Sequence, residues 1–91
     1  MDICIGSVVI SKAGRDKGRF FVVVSADDEF AYLCDGDLRK CDSPKKKKRK
    51  HLAVTNTVCD FIGDKIKDNK KVTNTEIRRA LVEFCERNEK N

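Results

Sequence analysis

The sequence predicts a mainly β, α+β domain: a small five-stranded barrel over residues 1–55, then one or two helices over residues 56–91 packed on it as a single folding unit. Three observations predict it. Short β-branched and aromatic runs (Val8-Val9-Ile10, Phe20 to Val24, Phe30 to Cys34) are separated by turn residues. From Asn56 the apolar period lengthens from two toward that of a helix. Both faces of the early strands are apolar, so something must cover the outside of a lone barrel, and the helices are the only candidates in the chain.

The first strand is expected at Ile5 to Ser11, with Val8 and Ile10 on one face and Ile5 and Val9 on the other. The second sets Phe20, Val22 and Val24 against Phe21 and Val23. Between them, Gly14 and Gly18 supply the positive φ that a tight reversal needs. Lys12, Arg15, Lys17 and Arg19 lie in or beside this loop, on backbone whose N–H groups are partly unpaired, a combination that suits phosphate oxygens. Composition alone does not separate a phosphate-gripping loop from a solvated turn.

An acidic turn, Ser25 to Glu29, leads to a third strand at Phe30 to Cys34, and Asp35-Gly36 makes the next turn. The fourth strand is expected at Leu38-Arg39-Lys40 and the fifth at His51 to Thr55. Phe20, Phe21, Phe30 and Tyr32 read as core rather than as a base-stacking platform, because their alternation is apolar. Between the last two strands stands Pro44 followed by Lys45, Lys46, Lys47, Lys48, Arg49 and Lys50. Half the side chains of a strand here would point into the core, so the run is expected to be a loop. An extended segment of this kind can follow a phosphate backbone without reading bases. A solvated loop and a nuclear-localisation string are the competing readings. His51 has no companion ligand and reads as a bystander.

In the C-terminal part, Val58, Phe61, Ile62 and Ile66 mark one face of a first helix, weakened by Gly63 and ended near Asp68-Asn69. The last helix carries the clearest start signal. Thr73 and Glu76 are spaced as a capping box, and Val72 and Ile77 as a hydrophobic staple. Its apolar stripe is Ile77, Ala80, Leu81, Phe84 and Cys85, with Arg78, Arg79 and Arg87 facing elsewhere. Packed on the barrel, these helices are expected to shield Ile5, Val9, Phe21 or Val23.

Gly14-Arg15-Asp16-Lys17-Gly18-Arg19, with Val8-Val9-Ile10 before it and Phe21-Val22-Val23-Val24 after it, resembles the KOW motif of ribosomal proteins and NusG-type transcription factors. Gly18 would be the motif's hallmark glycine. The resemblance is nearest to the short bacterial KOW-domain RNA-binding proteins, related to the large-subunit ribosomal proteins fourteen, six and twenty-seven of archaea and eukaryotes. It runs more loosely through Asp35 to Lys40 and the basic run to the last helix. It implies an SH3-like barrel whose first loop touches RNA.

Ninety-one residues make one small domain that buries only about 60–65% of its unfolded surface. The formal net charge is +5, and residues 1–55 carry most of the surplus, with 12 cations against 8 anions. That asymmetry favours a polyanionic partner. Five cysteines without a Cys-x-x-Cys pair suit free thiols in a reducing compartment and speak against a disulfide framework or a metal site. The Met1-Asp2-Ile3-Cys4 start and apolar runs far short of the ~20 residues of a membrane span predict a soluble cytoplasmic protein, a monomer when free, without cofactor or membrane partner. With no nucleophile–base spacing, a non-catalytic RNA-binding module is expected, its RNA ribosomal, with ribosomal proteins as further partners. The binding residues would be Lys12, Gly14, Arg15, Lys17, Gly18, Arg19, Arg39, Lys40 and Lys45 to Lys50. A protein-interaction adaptor of translation or transcription is the alternative.

Overall fold

Alternating apolar strands must bury two faces, and the computed structural model, which describes residues 3–89, does so in two layers around one curled sheet. The reading of Met1 and Asp2 lies outside the described residues. Strands β1 (Ser7–Ser11), β2 (Phe20–Ala26), β3 (Phe30–Cys34), β4 (Lys45–Lys48) and β5 (Leu52–Val58) form an antiparallel sheet in the order β4-β3-β2-β1-β5. Helices α1 (Asp60–Lys67) and α2 (Asn74–Glu89) follow. Among the described residues no helix is long and apolar enough to cross a membrane.

The sheet is open, which corrects the expectation of a closed barrel. After β4 the chain makes one 3₁₀ turn, Arg49–His51, and passes to the far edge, where β5 pairs with β1 rather than with β4. Register shifts between Ser7 and Val9, and between Val23 and Ser25, bend the strands. The inner face buries Val9, Phe21, Val23, Ala31, Leu33 and Leu52 with no helix lying on it, which requires the sheet to curl over its own side chains.

The fourth strand is also corrected. Leu38, Arg39 and Lys40 lie in the connection after β3, because Asp35 folds that segment onto itself: its Oδ1 accepts the N–H groups of Asp37 and Arg39, each at 2.9 Å. The strand is instead the lysine run that was expected to be a loop. It is an edge strand, where a row of lysines is tolerated and blunts further pairing. Its two inward lysines end on a carboxylate rather than in the apolar core, as described below.

Helix packing is where the expectation chose the wrong face. The helices cover Val8, Val22 and Cys34, with Phe20 and Val24 at the margin, through Ile62, Ile77 and Phe84. Val9, Phe21 and Val23 belong to the inner face instead. The core reading holds for Phe21, 1% exposed, and for Phe20, whose ring centroid lies 5.1 Å from that of Phe84. Phe30 and Tyr32 are only half-buried.

β1 starts two residues later than expected because Gly6, at φ +94°, turns the chain against Cys59, whose N–H donates to the Gly6 carbonyl at 2.7 Å. β5 runs three residues further than expected, so Val58 closes a strand instead of opening a helix, and Phe61 is left 60% exposed. Helix α2 begins as its capping box dictates: Thr73 Oγ1 accepts the Glu76 N–H at 3.2 Å and Glu76 Oε1 accepts the Thr73 N–H at 2.9 Å. Glu76 Oε2 also meets Lys65 Nζ at 2.6 Å, tying α2 to α1 and, with the Thr73 bond, lowering the Glu76 pKa.

Candidate nucleic-acid interface

The loop between β1 and β2 (residues 12–19) is shaped by its own backbone. Gly18 donates to the Ser11 carbonyl at 2.8 Å, Lys17 to that of Gly14 at 3.2 Å and Arg19 to that of Asp16 at 3.0 Å. Gly14 (φ +82°) and Gly18 (φ +88°) hold the left-handed backbone that this path requires. Lys12, Arg15 and Lys17 point to solvent. Asp16, the loop's one acid, turns inward and is 8% exposed.

Asp16 organises the site. Its Oδ1 accepts from Lys47 Nζ at 2.7 Å and from Ser11 Oγ at 2.9 Å, while Lys45 Nζ lies 3.0 Å from Oδ2. Lys47 also donates to the Ala13 carbonyl at 2.6 Å. Lys45 approaches off the hydrogen-bond direction and leaves buried Oδ2 without an aligned partner. Burial alone would raise the pKa of this carboxyl, but the bond from Lys47, the adjacent Lys45 ammonium and the bond from Ser11 outweigh it and hold the group well below the usual carboxylate range. The inward half of the lysine run thereby pins the first loop over the open end of the curled sheet.

The connection between β3 and β4 (residues 35–44) is fixed from two sides. Asp35 Oδ2 accepts from Arg19 at 3.1 Å, joining the two loops. From the other side, Asn74 Oδ1 at the start of α2 accepts the Cys41 N–H at 2.8 Å, and Arg78 donates to the Gly36 carbonyl at 2.6 Å. Gly36 sits so close to α2 that a Cβ there would collide with the Asn74 carbonyl. Arg78 therefore positions this loop. Cys34 and Cys41 beneath this loop are free thiols with sulfurs 3.7 Å apart, and burial pushes the Cys34 thiol pKa far up.

The two loops and the start of β4 enclose a pocket of about 400 Å³, with Arg15, Arg19, Arg39 and Lys45 on its walls. Leu38 supplies its exposed apolar surface, with buried Phe21 behind it, and Asp16 and Asp35 line it with carboxylates. Arg19 and Lys45 are paired with those acids, leaving Arg15 and Arg39 without an ion pair among the described residues. Such an arrangement can take an anion with an apolar body attached.

The remaining predicted residues do not converge there. Lys46 and Lys48 project from the opposite face of β4, with Lys46 Nζ 4.2 Å from the Phe30 ring centre. Arg49 donates to the Asp27 carbonyl at 2.9 Å, and Lys50 lies with it near Asp28 and Glu29. Lys40 is exposed in the β3–β4 connection. The run of six cations is thus split three ways, not presented as one arm.

Sequence reasoning missed Asp16, Asp35 and Leu38. For Asp16 a signal was present, a single acid inside a loop with four nearby cations. Leu38 was read as a strand residue, yet it is 66% exposed. No protein-family model matches the chain, and no curated protein matches it.

Proposed function

We propose that the protein is a non-catalytic RNA-binding module that grips phosphates through the pocket between its first and third loops. The observation that carries this reading is the convergence of Arg15 and Arg39, 24 residues apart in sequence, onto one pocket, neither paired with a carboxylate among the described residues. Both loops are held from beneath, so the two guanidiniums are presented on rigid backbone, and a planar fork suits phosphate oxygens. Lys12, Lys17, Lys46 and Lys48 add a diffuse positive field that draws in a polyanion.

The finer reading is an SH3-like KOW domain. Support comes from the strand–loop–strand frame of Gly14 to Arg19 and from the left-handed backbone of Gly18, the glycine that the KOW resemblance singles out. On that reading the RNA is ribosomal, the partners are components of the ribosome, and the protein works as a monomer in the cytoplasm. The adaptor reading draws on a different surface, where exposed Val58 and Phe61 flank a groove of about 380 Å³ between α1 and α2.

Fluorescence anisotropy with labelled RNA across a salt series tests the proposal. Affinity should fall with log salt at about −0.7 to −0.9 per phosphate contacted, and Arg15→Gln with Arg39→Gln should remove about two contacts. Binding that ignores both salt and the two substitutions would overturn it.

A further inference from the structure

We infer that the pocket bounded by Arg15, Arg19, Leu38 and Arg39 accepts one unstacked nucleotide of a single-stranded RNA, its base against Leu38 and its phosphate on Arg15 and Arg39. The inference rests on the RNA-binding reading and narrows it. Leu38 is the first observation. A large apolar side chain 66% exposed at a loop tip contributes little to the fold, and the turn that holds it out is fixed by the Asp37 and Arg39 N–H groups, which donate to Asp35 Oδ1 from either side of it. The sequence places it between Asp37 and Arg39, where a solvated loop would ordinarily carry polar residues.

The second observation is the kind of cation around it. Three of the four cations on the pocket wall are arginines, whereas the adjacent strand is built of lysines. A guanidinium can lie flat on a base as well as grip a phosphate, and an ammonium acts only as a point charge. Arg19 is anchored to Asp35 at 3.1 Å while its side chain stays 43% exposed, so its plane is held in place at the pocket wall before any ligand arrives. Arg15 and Arg39 line the same pocket without an ion pair among the described residues, and so are available to a phosphate.

The third is size. A pocket of about 400 Å³ is in the range of small-molecule sites. Double-stranded RNA keeps its bases stacked behind a deep, narrow major groove, and it could offer this pocket only phosphates and sugars. Only an unpaired nucleotide brings the apolar face that Leu38 would cover.

The test compares the 91-residue protein with its Leu38→Ser and Arg39→Gln variants. Each is measured against an unstructured ten-nucleotide uridine- and adenosine-containing RNA and a ten-base-pair RNA duplex, at several salt concentrations. Leu38 is exposed, so its replacement should leave the fold intact, as circular dichroism would record. The single strand should bind about tenfold or more tightly than the duplex at matched salt. Leu38→Ser should weaken single-strand binding roughly fivefold while leaving duplex binding and the salt slope unchanged. Arg39→Gln should lower the slope for the single strand by about 0.7. Equal binding of the two RNAs, or a Leu38→Ser variant that binds the single strand as well as the parent, overturns the nucleotide pocket while leaving the phosphate reading standing. Failure to bind either RNA overturns both.

Discussion

Lys47 Nζ stands 2.7 Å from Asp16 Oδ1, joining two residues 31 apart in sequence and fixing a basic strand beneath a basic loop. Both side chains are about nine-tenths buried, so the pair is largely shielded from solvent and salt. Removing Asp16 strands two inward ammonium groups. Asp16→Asn should lower stability by about 1–3 kcal/mol, read as a shift in the urea midpoint, since one partner of a buried pair is lost.

The same carboxyl makes stability depend on acid. Its pKa is lowered on folding, so its contribution is fully present above the ordinary carboxylate value of about 3.9 and is lost as pH falls below it. The parent protein should weaken more steeply than Asp16→Asn between about pH 5 and pH 2. Parallel curves for the two proteins in denaturant titrations would show that Asp16 is not the group responsible.

At Gly18, φ is +88° and a Cβ would meet nothing within 4 Å. The cost of a substitution there is conformational, not steric crowding. Gly18→Val should lose about 1–3 kcal/mol, and Gly18→Asn, which tolerates left-handed backbone, distinctly less. Thermal melts of the two variants check the order.

The six cations from Lys45 to Lys50 should not act alike. Replacing Lys46, Lys48 and Lys50 by glutamine should flatten the salt slope of RNA binding by at most about three contacts at ~0.7–0.9 each, with little loss of stability. Replacing Lys45 and Lys47 should instead destabilise the fold, because their partner is Asp16. Chemical denaturation and binding on the same two variants separate these effects.

Asn74 offers a test of positioning without a change of charge. Its Oδ1 holds the Cys41 N–H of the loop that carries Leu38 and Arg39. Asn74→Ala should weaken RNA binding several-fold with an unchanged salt slope, and hydrogen exchange should accelerate at Cys41.

Local patterns in the sequence determined the first hairpin, with its two glycine positions, and the capping box that starts α2. Each rests on residues within a few positions of one another, so short-range sterics and hydrogen bonding suffice. The need to cover a second apolar sheet face was equally legible, because alternation of side chains along a strand is a local property. Which face the helices cover was not, since Val8 and Val9 look alike until pairing and curl decide which of them turns inward. Nor could the sequence assign the lysine run to a strand. A row of inward charges is costly unless a countercharge meets it, and that countercharge, Asp16, comes from a loop some thirty residues earlier. The pocket belongs to the tertiary structure for the same reason: Arg15 and Arg39 share a wall only because Asp35, Asn74 and Arg78 hold two distant loops together.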